Sequence, residues 1–124
     1  MSTLRFYIAV ISWPGSILRH WVPVLWNPDR KEGSWYHLNT LGGYDVTLRD
    51  EEYFEAEEVR EVIFISEFSP DNRTELNATC RRTEYDSCQT WVSTLLFYLE
   101  RDHLVPEGTY ISWLNRRDHT RPWP

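Results

Sequence analysis

The residue best suited to do chemistry in this chain is Cys88, in the stretch DSCQTWV at positions 86–92. It opens an amphipathic run. Cys88, Trp91, Val92, Leu95, Leu96 and Leu99 recur at helical spacing and share one face. Ser87 or Asp86 is placed to cap the first turn. Backbone N–H groups and the dipole at a helix start stabilise a thiolate, so a cysteine there is a ready nucleophile when a base stands beside it. The same spacing also fits a small buried core residue. The histidines decide between the two.

Four are present: His20, His37, His103 and His119. His20 opens a β-rich segment, RHWVPVLW, and His37 lies in another, WYHLNT. If these segments pair as a hairpin, both imidazoles come to one region of a sheet. The cysteine helix must pack its apolar face on that sheet. A Cys–His–His arrangement is then geometrically open to the chain, since a nucleophilic cysteine needs a base and the base an orienting partner. His103 and His119 fit no motif and are read as structural. Zinc accepts nitrogen and sulfur ligands, but no CxxC or HxxxH spacing supports a metal site, and none is expected.

The elements that position these residues are legible in outline. Leu4 to Ile11, Arg19 to Trp26, Ser34 to Leu41, Tyr44 to Arg49 and Val62 to Phe68 read as strands, separated by turn chemistry such as Asn27-Pro28-Asp29 and Ser69-Pro70-Asp71. NPDRKEG is the polar loop between the second and third strands. The acidic run DEEYFEAEEVRE reads as a helical turn or solvated loop. Residues 71–86 show no clear period and are expected to form a long surface loop, which includes Cys80 and the sequons Asn72-Arg73-Thr74 and Asn77-Ala78-Thr79. Pro106 stops the cysteine helix, and 108–115 forms a short final helix or arm. The pattern is α+β: an antiparallel sheet packed against one helix, in a single domain spanning 1–124.

Composition narrows the function. The chain has 124 residues, 41% of them hydrophobic, with seven Trp and seven Tyr. That supports one globular core. A formal charge of −6 argues against a phosphate-backbone binder, so no nucleic-acid partner is expected. The apolar run from Phe6 to Ile11 is too short to span a membrane and lacks the flanks of a signal peptide. A soluble, cytoplasmic protein with reduced Cys80 and Cys88 is the expectation. The tryptophans Trp13, Trp21, Trp26, Trp35 and Trp91 read first as core. Where they line a pocket they favour an apolar or planar acyl group.

A histidine strand HW, a strand carrying YHL and then a Cys–polar pair–aromatic–Val helix start resemble the permuted papain-like fold. Its members include lecithin:retinol acyltransferase-like and NlpC-like thiol enzymes, and the CQTWV helix resembles that of small fungal proteins of this fold. The order His20, His37, Cys88 is the permuted order, and the resemblance covers about residues 5–103. It implies Cys88 as nucleophile, His20 as general base and His37 as the third polar residue. The loop between the histidine strands is longer than in the acyltransferase branch, and no C-terminal hydrophobic anchor follows, which argues against membrane-lipid substrates.

The expected function is a cysteine-dependent hydrolase or acyltransferase. It would act on an amide, ester or thioester of a small molecule, without a cofactor. The Cys88 N–H is the natural first oxyanion donor, and Gln89, Trp21 and Trp91 are the expected substrate contacts. The alternative is a non-catalytic small-ligand-binding module, or a cofactor-independent cyclase, on the same fold.

Overall fold

Five segments form one antiparallel sheet because β-branched and aromatic residues recur along them and turn residues separate them. The computed structural model describes residues 3–13, 19–39 and 43–117. The strands are β1 (Leu4–Ile11), β2 (His20–Asn27), β3 (Glu32–Leu38), β4 (Tyr44–Asp50) and β5 (Val59–Phe68), in the order β4-β3-β2-β1-β5. The helices are α1 (Asn72–Arg82), α2 (Cys88–Arg101) and α3 (Thr109–Asn115). The architecture is α+β.

Both faces of the sheet are covered, which is why β1 and β2 are almost continuously buried. On the helical face Phe6, Ile8 and Val10 of β1, Trp21 and Leu25 of β2 and Tyr36 of β3 pack with Leu76 and Cys80 of α1. Trp91, Val92, Leu95, Leu96 and Leu99 of α2 complete that core. On the opposite face Ala9, Ile11, Val22, Val24 and Trp35 form a second cluster, covered in part by Tyr53 and Phe54. Those two aromatics come from a 3-10 turn at Glu51–Glu55, so the acidic run is a turn that lids the back of the sheet.

Several boundaries differ from the sequence reading; β3, for one, begins at Glu32, inside the expected polar loop. Residues 72–82 are helix α1, not a surface loop. Among their side chains only Leu76, Thr79 and Cys80 are buried, so little apolar periodicity marks the helix. Long-range contacts hold it instead: Tyr36 Oη donates to Asn77 Oδ1 at 2.9 Å, and Arg73 Nη1 donates to Ser34 Oγ at 3.0 Å. Both sequons therefore lie in a helix, with Asn72 and Asn77 side chains already bonded. Strand β5 begins at Val59 rather than Val62, because the end of β1 pairs with it through Ile11↔Val59. Leu41, taken in the sequence as the end of the third strand, lies outside the described residues, as does His119.

Pro23 shapes the end of the sheet that matters for function. It pairs with Ile8 of β1 but has no N–H to give. The β2–β3 ladder runs from Asn27↔Glu32 only to Val24↔Trp35 and stops beside it. Beyond that point β3 continues against β4 alone, through His37↔Asp45.

Candidate active site

Cys88 is the first residue of α2. Ser87 is the cap: extended at φ −61°, ψ 155°, it accepts the Thr90 N–H on its Oγ at 3.2 Å. The Ser87 N–H in turn donates to Asp86 Oδ1 at 2.8 Å. Of the two candidate capping residues Ser87 is the cap, and Asp86 bonds only the N–H of that cap. The Ser87 carbonyl accepts the Trp91 N–H at 2.8 Å, so the helix ladder starts at the cap.

His20 opens β2, and its pairing with Ile11 places it at the end of two central strands. Here the start of α2 meets the start of β2. Cys88 Sγ lies 3.6 Å from His20 Nδ1 and 3.8 Å from the Arg19 carbonyl oxygen. The thiol donates to the Arg19 carbonyl, and His20 Nδ1 is a second acceptor for its proton in the tautomer that carries the ring hydrogen on Nε2. Gln89 Nε2 donates to the same Arg19 carbonyl at 2.9 Å, so consecutive residues of α2 grip the residue before His20. Gln89 is buried by this bond and acts as a brace between helix and strand.

Burial lowers the His20 pKa below its ordinary value near 6.5 by penalising the imidazolium. At neutral pH the ring is neutral and able to take a proton. Trp13 meets the ring edge-on, with centroids 4.7 Å apart. Cys80 offers a contrast within the same chain. It is fully buried on α1, and desolvation pushes its thiol up to about 12. Neither cysteine is in a disulfide.

His37 comes to the same end of the sheet as His20, as hairpin pairing requires, but no hydrogen bond joins the two rings. Its register partner is Asp45. Burial and the Arg49 guanidinium lower its pKa, while the Asp45 carboxylate pulls it back up. The β2–β3 ladder ends at Val24↔Trp35, so no strand pairing ties the end of β3 to the start of β2.

The two tryptophans expected at the substrate site are in the core. Trp21 is 3% exposed and stacks edge-on against Trp113, centroids 5.0 Å apart. Trp91 is fully buried, and its indole N–H has no partner. Trp13, 39% exposed beside His20, is the aromatic that the site presents. Sequence reasoning did not single it out for the site, because its contact depends on the register between β1 and β2. Among the described residues no group of three His, Cys, Asp or Glu side chains could hold a metal ion, and no helix is long and apolar enough to cross a membrane. In comparisons with known proteins, no family model, curated protein or solved structure matches the chain.

Proposed function

We propose that the protein is a cysteine-dependent hydrolase or acyltransferase of the permuted papain-like kind, acting on a small-molecule amide, ester or thioester. The observation that carries this reading is the 3.6 Å contact between Cys88 Sγ and His20 Nδ1 at a capped helix start. A neutral imidazole and a thiol at the start of a helix are the parts that thiol acyl transfer needs.

The steps follow from those parts. The Cys88 S–H proton passes to His20 Nδ1 as sulfur attacks the carbonyl carbon. The carbonyl π electrons move to oxygen, where the Cys88 N–H can donate to the oxyanion. The intermediate collapses, the bond from carbon to the leaving group breaks, and His20 returns its proton to that group. An acyl thioester remains on Cys88. Water or an amine then gives its proton to His20, attacks the thioester and releases Cys88 as the thiol. The scheme uses no cofactor. His37 would enter only as an orienting group for His20 and requires a movement that brings the rings together.

Intact-mass analysis after incubation with a panel of activated esters and thioesters tests the reading. Wild-type protein is expected to gain one acyl group or to turn the donor over, and Cys88→Ala to do neither. Absence of both adduct and turnover across the panel would overturn it.

A further inference from the structure

The end of the sheet that carries His20 also carries a groove that this scheme does not use. It has a volume of about 430 Å3 and is lined by Ser12, Trp13, Glu57, Glu58 and Arg60. Strand register explains where it lies. Ile11 pairs with His20 on one side and with Val59 on the other. Adjacent strands run about 5 Å apart, so the start of β5 is about 10 Å from the His20 backbone. The Ser12 N–H donates to the Glu58 carbonyl at 2.9 Å and ties the two walls together. Trp13 belongs to both places: it lines the groove and its ring meets that of His20.

The chemistry of the lining is specific. Glu58 is held in position, its Oε2 accepting the Tyr53 hydroxyl at 3.1 Å. Glu57 is exposed and enters no ion pair among the described residues, and the same is true of Arg60. Two carboxylates outweigh one guanidinium, and an indole stands beside them. Carboxylates attract a cation through charge and the indole face attracts it through its quadrupole.

We infer that this groove is a substrate subsite for an ammonium group, so that the acyl compound attacked by Cys88 carries an amine on the order of 10 Å from its reactive carbonyl. The inference rests on the Cys88–His20 reading, and its test reports on the two separately. The probes are 6-aminohexyl, hexyl and 5-carboxypentyl methanethiosulfonates. In each reaction the Cys88 thiolate attacks the sulfenyl sulfur, a disulfide forms and methanesulfinate leaves. Rates are read by intact mass at physiological ionic strength, where charges beyond about 8 Å are screened.

The aminohexyl probe is expected to label Cys88 about tenfold faster than the hexyl probe, and the carboxypentyl probe more slowly than either. Combined Glu57→Gln and Glu58→Gln should cut that preference to less than about threefold. Glu67→Gln, an exposed change at the far end of β5, should preserve it. Equal rates for the three probes would overturn the subsite, as would a preference that survives the double substitution. A preference for the carboxypentyl probe that Arg60→Gln abolishes would overturn it in favour of an anion site. The ratio among probes reads the groove whatever the absolute rate. Labelling no faster than a cysteine in a short peptide would instead overturn the reactive-pair reading.

Discussion

Cys88 and His20 stand 68 positions apart in the chain, yet Sγ and Nδ1 are 3.6 Å apart. The contact is built from three local facts: a capped helix start, a strand start, and the Arg19 carbonyl that Gln89 and Cys88 both reach. The thiol meets a neutral acceptor at the end of a helix whose dipole favours its anion.

Cys88 should therefore alkylate with iodoacetamide faster at neutral pH than a cysteine in a short peptide. Cys80, with its thiol pushed up to about 12, should stay unmodified until the protein unfolds. Alkylation of Cys88 no faster than that of the peptide would show that the helix start and His20 do not activate it.

His20→Ala should leave the thermal transition nearly unchanged while slowing Cys88 alkylation at neutral pH by at least about tenfold, the range of a lost general base. A variant that alkylates at the wild-type rate would remove His20 from the site.

His37 separates a triad from a dyad. With no bond to His20 in this structure, His37→Asn, His37→Gln and His37→Leu should all alkylate within about twofold of wild type. If the rings come together during reaction, the two amides should retain activity and leucine should lose it. Ranking the three with an acyl donor, with melts run in parallel, distinguishes these outcomes.

Gln89→Glu replaces a donor by an acceptor opposite the Arg19 carbonyl. It should destabilise the protein by about 1–3 kcal/mol and slow Cys88 alkylation, because the helix start is no longer drawn to β2. Gln89→Ala should have the same direction and a smaller effect. Denaturant melts with alkylation rates check both.

The histidines also give the fold a pH dependence with a definite sign. His20 and His37 both have pKa values lowered by burial, so below about 6.5 the unfolded chain binds more protons than the native one. Their contribution to stability is present above that value and is lost as pH falls through it. The thermal midpoint should fall on acidification from about pH 7.5 to about pH 5.5, and His37→Gln should flatten the fall. A midpoint indifferent to pH in that window would contradict the burial of these rings.

Local sequence determined much of this protein. Period-two and near-continuous apolar segments marked the strands, and the single face from Trp91 to Leu99 marked α2, because burial selects side chains by the period of the backbone. The Ser87 cap and the turn at Asn27 were legible for the same kind of reason, since short polar side chains bond nearby backbone. Helix α1 was not legible. Its stability comes from Tyr36, Ser34 and the core around Leu76, none of which its own residues announce. The same holds for the site. Types and order nominated Cys88 and His20, but only packing of α2 on the sheet brought sulfur to nitrogen. Only the Ile11↔His20 register set Trp13 beside the ring. Those are distances between segments remote in the chain. No local pattern encodes them, because they depend on how the whole sheet twists, pairs and ends.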